Sequence, residues 1–137
     1  MINSCMNSET ILSANTHPGG GTTETVTGDK FKGDGYYGRS DGLHTIQINL
    51  SGFLGDVQLQ GTLAVDPTAD DWFTVRLGSG QTIDTTGKIF NAITSKLEYT
   101  ANETSSKTYN FTGNYVWIRA KISNWTDGTV NSIQMNH

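Results

Sequence analysis

Residues 114–135, NYVWIRAKISNWTDGTVNSIQM, indicate the fold class because apolar and polar side chains alternate along them with a period of two. Val116, Ile118 and Ala120 would face a core, and the side chains between them would face outward. The turn-forming sequence at 124–128 contains Asp-Gly, a strong hairpin signal, and a second alternating run follows it. The stretch therefore predicts an antiparallel hairpin that closes the fold.

Shorter alternating runs occupy much of the chain from residue 43 onward, at 43–50, 56–65 and 70–77, with weaker candidates at 88–94 and 96–100. The side chains expected to share the inward faces of these runs, with Ile122 of the final hairpin, are His44, Ile46, Ile48, Leu50, Val57, Leu59, Leu63, Val65, Phe73, Val75 and Leu77. The runs at 43–50 and 56–65 are predicted to form another hairpin, because the turn-forming sequence SGFLGD at 51–56 joins them. No stretch shows a sustained amphipathic helical pattern. Roughly seven or eight short strands predict an all-β protein, an antiparallel, jelly-roll-like β-sandwich over residues 43–137.

Residues 1–42 differ in composition from the rest of the chain. They are rich in Gly, Thr, Ser and Asn, and the run at 18–21 contains a proline and three glycines. Ordering such a polar segment costs about 1–2 kcal/mol per residue in backbone entropy alone. We therefore expect an extended N-terminal arm outside the core, held by neighbouring subunits. Its predicted subunit-contact residues are Ile11, Leu12, Val26, Phe31, Tyr36 and Tyr37.

Charge and composition argue against several classes of partner. The chain has 137 residues, the size of one domain, and its 9 basic and 13 acidic residues give a net charge of −4. Nucleic acid is therefore not an expected partner. No apolar run approaches the ~20 residues that span a bilayer, and the N-terminus lacks secretory signal features, so no membrane association is expected. The single cysteine, Cys5, cannot form an intrachain disulfide, which fits assembly in a reducing cytoplasm.

The string GDGYYG at 33–38 matches the G-x-G-x-x-G pattern of dinucleotide-binding folds. No apolar strand precedes it and no helix follows it, so a bound dinucleotide is not expected. The pattern is better interpreted as a glycine-hinged loop that docks Tyr36 and Tyr37 on a neighbouring surface. No cofactor is predicted.

The acidic group Asp66, Asp70 and Asp71 offers oxygen ligands that could contact a cation or a glycan, although ordinary turn chemistry also explains these residues. His17, His44 and His137 are widely spaced in sequence, and a structural role is expected for each. We therefore predict no catalytic residues, no enzyme activity and no metal site.

The outward-facing aromatic residues of the 114–122 run are Tyr115 and Trp117. Such rings can stack on sugars, contact another subunit, or be covered within the fold itself. Trp117 and Trp125, in the turn that follows, are predicted as further subunit contacts.

Segments 35–75 and 109–137 carry three recurring features: GYYG followed by DGLH, Pro-Thr followed by Asp-Trp-Phe, and FTGNYV leading into the final hairpin. With these features the chain resembles small virion structural proteins of tailed phages, particularly contractile-tailed phages of marine cyanobacteria. The final hairpin is also similar to the closing strands of galactose-binding-like jelly rolls.

The resemblance implies a non-enzymatic component of the virion that is present in many copies and binds other virion subunits of the capsid, neck or tail. We expect a capsid decoration or cement protein. The alternatives are a neck-, tail- or fibre-associated structural protein and an adsorption module that binds a host glycan.

Overall fold

Antiparallel strands account for almost all of the regular structure. The computed structural model describes the backbone of residues 8–38, 42–83, 89–94 and 96–137, and the side chains of 8–38, 42–77 and 96–137. Cys5 lies outside these ranges. The strands are β1 (Ser8–Leu12), β2 (Asn15–Thr16), β3 (Glu24–Thr27), β4 (Phe31–Lys32), β5 (Leu43–Thr62), β6 (Phe73–Thr74), β7 (Leu77–Ile83), β8 (Ile89–Thr94), β9 (Leu97–Thr112) and β10 (Trp117–Asn136).

The strands form one curled sheet in the order β1-β10-β5-β9-β7-β8, with β2, β3 and β4 also paired to β10 and β6 paired to β5. Within the described ranges the only helical element is the 3₁₀ turn Ala69–Asp71, and no helix there is long and apolar enough to cross a bilayer. The predicted all-β antiparallel sandwich is confirmed.

β5 and β10 are twenty residues long and pair along most of their length, from Thr62 opposite Trp117 to Thr45 opposite Asn136. The register shifts near the middle of the ladder, where Gly52 and Gly128 adopt left-handed φ angles of 62° and 84°. A Cβ on Gly128 would overlap the Gly52 carbonyl. Both strands therefore bend together at one place, and glycine is required there.

The two hairpins predicted at 43–65 and 114–135 are wrong. In each stretch the turn-forming residues bend a single strand instead of reversing it, because the ladder between β5 and β10 continues on both sides of the bend. A glycine-containing break in an alternating pattern produces either a reversal or a bulge, depending on which strand pairs beside it.

The core consists of the apolar faces of the long strands. The predicted inward residues Ile46, Ile48, Val57, Leu59, Ile118, Ala120 and Ile122 are all buried. The inward orientation predicted for Leu63, Val65 and Phe73 is wrong: β5 ends at Thr62 and the exposed strand β6 is only two residues long, so the alternation does not extend to them.

Residues 8–32 form the short strands β1 to β4, which follow one another along the side of β10 that faces away from β5. Ile11 and Leu12 belong to the hydrophobic core, and Val26 and Phe31 pack against it half-buried. The expectation that this segment lies outside the core is wrong for Ile11 and Leu12, because β1 places them over the core of their own chain. The predicted boundary between 1–42 and 43–137 stays a prediction.

Candidate functional site

The two ends of β5 meet at one end of the sandwich. The N–H of Gly113 donates to the Gly42 carbonyl (3.0 Å), just before β5, and the N–H of Val116 donates to the carbonyl of Thr62, its last residue (2.9 Å). Between them lies the Tyr115 ring, against Gly61 and Gly113; a Cβ on Gly61 would come within 2.6 Å of it. We call this the closed end, comprising residues 33–38, 42–44, 61–65 and 113–117.

The glycine-rich loop at 33–38 packs directly on the backbone of the closed end. The N–H groups of Gly33 and Gly35 donate to the carbonyls of Val116 and Tyr115, each at 2.9 Å. A Cβ on either glycine would overlap a carbonyl oxygen of the facing chain, so only glycine allows this approach. The loop buries the Asp34 side chain and leaves Tyr36 and Tyr37 exposed.

Asp34 lies beside His44, which is fully buried near the start of β5. The Nδ1 atom of His44 is 2.7 Å from the carbonyl oxygen of Gly42. Because a carbonyl only accepts, Nδ1 carries the hydrogen, and Nε2 accepts the N–H of Asp34 at 3.3 Å. The tautomer of His44 is therefore fixed by backbone groups on both sides of its ring.

His137 completes the cluster. Its Nδ1 atom is 2.8 Å from Oδ1 of Asp34, and its Nε2 atom is 3.4 Å from Oε1 of Glu9. One ligand atom from each of Asp34, His44 and His137 lies within 4.8 Å of the other two. Of the residues described, these three are the only His, Cys, Asp or Glu side chains that converge in this way.

Four rings stack across the cluster, from the surface to the core. The centroid distances are 5.7 Å from Tyr37 to His137, 5.5 Å from His137 to His44 and 4.5 Å from His44 to Phe111, with interplanar angles of 30° or less. The stack limits rotation of both imidazoles and joins the exposed Tyr37 to the hydrophobic core.

The closed end also carries the exposed apolar side chains. Leu63, Val65 and Phe73 are 67–70 % exposed, and within the described ranges every exposed large hydrophobic residue lies at or beside this end. Phe73 belongs there because it pairs with Gly61. We call this set the apolar patch: Tyr36, Tyr37, Leu43, Leu63, Val65 and Phe73.

Trp117 connects two parts of the apolar patch, Val65 after the end of β5 and Tyr36 in the loop at 33–38. Its Nε1–H donates to the Val65 carbonyl (2.9 Å), and its ring lies 5.1 Å from that of Tyr36. The Lys30 ammonium lies over the Trp117 ring and that of Lys32 over the Tyr36 ring, at 4.7 and 4.6 Å from the centroids. The rim of the patch is therefore basic at this side.

Arg119 and Trp72 hold the loop that precedes Phe73. The guanidinium of Arg119 stacks on the Trp72 ring at 4.2 Å, and its Nε–H donates to the Gln60 side chain at 2.7 Å. Burial lowers the pKa of Arg119 from its usual value. The stacked pair fixes the approach of the chain to β6.

The residues predicted as subunit contacts are placed differently from one another. Tyr36 and Tyr37 are exposed, Val26, Phe31 and Trp117 are half-buried, and Ile11, Leu12 and Trp125 are buried within the chain. The Nε1–H of Trp125 donates to the Asp127 carbonyl (2.9 Å), and its ring lies edge-on to His17 at 5.2 Å. Subunit contact stays a prediction, and Ile11, Leu12 and Trp125 present almost no surface for it in this conformation.

The acidic residues Asp66, Asp70 and Asp71 do not converge on one point. Oδ2 of Asp71 accepts the N–H and the hydroxyl of Thr68, at 2.7 and 3.1 Å, and so caps the 3₁₀ turn. Asp66 and Asp70 are exposed. A cation or glycan contact at this loop stays a prediction.

The Asp34, His44 and His137 cluster was not predicted from the sequence. His44 shares the inward face of its strand with Ile46, Ile48 and Leu50, and a histidine on a buried face needs polar partners. The position of His44 on this face was the signal available in the sequence. Asp34 and His137 gave no such signal, because their proximity depends on the loop at 33–38 and on the path of β10.

Comparisons with known proteins bear on the fold. No family model matches the chain, and no curated protein matches its sequence. The SPBc2 prophage-derived protein YomS has a similar structure, with a TM-score of 0.57 at 12 % identity over 95 % of this chain and 89 % of that one.

Two carbohydrate-binding structures have lower TM-scores. The family 29 module CBM29_1 from Piromyces equi gives 0.42 at 8 % identity, over 96 % of this chain and 91 % of that one. The CBM22-1-GH10 modules of Clostridium thermocellum xylanase 10B give 0.35 at 9 % identity, over 96 % of this chain and 25 % of that one.

Proposed function

We propose that this protein is a non-enzymatic structural subunit of a phage particle, which binds a neighbouring virion subunit through its apolar patch. The observation that carries the proposal is the gathering of the exposed large hydrophobic side chains at the closed end. Monomeric proteins seldom expose contiguous apolar areas, and such areas mark interaction sites.

The side chains in the patch favour a protein partner. Leu63 and Val65 are aliphatic, and aliphatic side chains offer nothing to the hydroxyl groups of a sugar. Aromatic residues within an uncharged centre are typical of protein interfaces, whose rim is polar. Lys30 and Lys32 lie at the rim, so the complementary surface would be apolar at its centre and acidic at this side.

The phage setting is supported by the resemblance of 35–75 and 109–137 to virion structural proteins, and the chain shares its fold with a prophage-derived protein. Within the virion we propose a capsid decoration or cement position, with several copies bound to capsid subunits. A neck, tail or fibre position would use the same patch against a different subunit.

The double variant Leu63→Ser, Phe73→Ser tests this function. Both side chains are exposed, so folding should be unaffected, whereas incorporation into purified phage particles, measured by quantitative mass spectrometry, should fall at least about tenfold, as expected for loss of interface anchors. The matched control is Ala101→Ser, an exposed residue of β9 opposite the bend in the middle of β5. Normal incorporation of the double variant, or absence of the wild-type chain from particles, would refute the proposal.

Glycan binding is a second candidate, because three rings contact one another at the closed end: Tyr36 is 5.6 Å from Tyr37 at an interplanar angle of 77° and 5.1 Å from Trp117 at 57°. Adjacent aromatic faces can stack on sugar rings. Glycan-array binding that is lost in Tyr37→Ala and in Trp117→Ala, with particle incorporation unchanged, would favour this function over subunit contact.

A further inference from the structure

We infer that Asp34, His44 and His137 form a binding site for one divalent transition-metal ion, for which Zn²⁺ is the best match. The inference does not depend on the proposed function. It rests on the chemistry of the three ligand atoms, on the groups that hold them and on their burial.

The ligand set is two imidazole nitrogens and one carboxylate oxygen, a combination that suits zinc and other first-row transition metals and not calcium. The three atoms lie within 4.8 Å of one another, and a shared ion about 2.0–2.2 Å from each requires only small movements to bring them together. Asp34 and His44 are 1 % and 0 % exposed, so an ion here would be shielded from bulk water.

Both imidazoles are held as metal-binding histidines usually are, with the second ring nitrogen donating to an oxygen. The Nδ1–H of His44 donates to the Gly42 carbonyl, which leaves Nε2 facing the backbone N–H of Asp34, and an ion bound to Nε2 would replace that 3.3 Å hydrogen bond. The Nε2 atom of His137 faces the Glu9 carboxylate, which directs Nδ1 toward the carboxylate of Asp34. The nitrogens that face Asp34 are therefore the ones that would bind the ion.

A bound ion would join three separate parts of the chain: the loop at 33–38, the start of β5 and the residue that follows β10. Because Tyr36 and Tyr37 belong to that loop, the ion would also fix the exposed rings of the apolar patch. Its role is structural, since it restrains the closed end.

Isothermal titration of ZnCl₂ into the untagged, chelator-treated full chain tests the site. We expect one ion per chain, and loss of binding in His44→Gln, His137→Gln and Asp34→Asn. His17→Gln is the control, because His17 bonds to Thr22 and Gly19 and packs against Trp125, away from the cluster. Glu9→Gln should weaken binding about 10–100-fold, the usual effect of an outer partner.

A measurement on the wild-type chain keeps the test valid if a variant fails to fold. In long-range ¹H–¹⁵N spectra, zinc should shift Nε2 of His44 and Nδ1 of His137 and leave His17 unchanged. Co²⁺ should give visible absorption bands that His17→Gln retains. No uptake of zinc by the folded wild-type chain, or shifts at His17 with none at His44 and His137, would overturn the inference.

Discussion

The Nδ1 atom of His137 lies 2.8 Å from Oδ1 of Asp34, although 103 residues separate the two in sequence. The contact joins the loop before β5 to the residue after β10. It forms because Gly33 and Gly35 let that loop lie directly on the backbone at Tyr115 and Val116. The contact between Asp34 and His137 therefore depends on two glycines.

Gly35→Ala should displace the loop and the Asp34 carboxylate with it. Its Cβ would overlap the Asn114 carbonyl, so we expect a loss of about 1–3 kcal/mol in the free energy of unfolding by urea. Gly38→Ala is the control, because a Cβ there meets no atom within 4 Å and only its left-handed φ is unfavourable, by about 1 kcal/mol. Equal effects would contradict the packing role of Gly35.

Ile11→Ala should destabilise the chain by about 2–5 kcal/mol, as buried isoleucines do when truncated. Ile11 is 2 % exposed within the core, whereas the half-buried Val26 should cost less when changed to alanine. Thermal and urea unfolding of the isolated protein measure both effects. An unchanged melting temperature for Ile11→Ala would show that β1 is not part of the folded unit in solution.

Gly128→Ala should be among the most damaging single substitutions. The residue has a φ of 84°, and the added Cβ would overlap the Gly52 carbonyl on the facing strand. We expect a loss of more than about 3 kcal/mol, since steric overlap with backbone adds to the conformational penalty.

Gly20→Ala is a useful comparison for Gly128→Ala. It has a similar φ of 79° and open space around it. If both variants lose equal amounts of unfolding free energy, close packing at the bend is not what requires glycine at position 128.

Stability should fall above about pH 10, the ordinary pKa of tyrosine. Burial is the main cause that raises the pKa of Tyr99 in the folded chain, and its hydrogen bond with Tyr109 adds to the effect. The unfolded chain therefore loses the phenolic proton at lower pH than the folded chain, and stability decreases as pH rises from there. Tyr99→Phe should reduce this slope in urea unfolding, and an unchanged slope in this variant would contradict the prediction.

The sequence predicts the strand faces well, since burial imposes a period of two on residues such as Ile46, Ile48 and Ile118. The path of the strands was harder to predict. Glycine and Asp-Gly mark a break in the ladder, but Gly52 and Gly128 permit a bend because they face each other, and no local pattern records which residue faces which.

The candidate site was predicted only in part. Tyr36 and Tyr37 stood out because aromatic rings beside glycines need a surface to lie on, and both are exposed at the closed end. The cluster beneath them joins residues from three distant segments. Its convergence is a property of the tertiary structure, and spacing along the chain could not reveal it.

Strands β1 to β4 line the outer side of β10 in turn, and this arrangement protects against polymerisation. An uncovered strand of twenty residues would present a long row of unsatisfied amide and carbonyl groups, a template on which further copies could add. Residues 8–32 thus cover the outer edge of the last strand of the same chain. If residues 8–32 detached, the exposed edge of β10 would pair with the same segment of another molecule. Neighbouring copies would then be linked by exchanged strands.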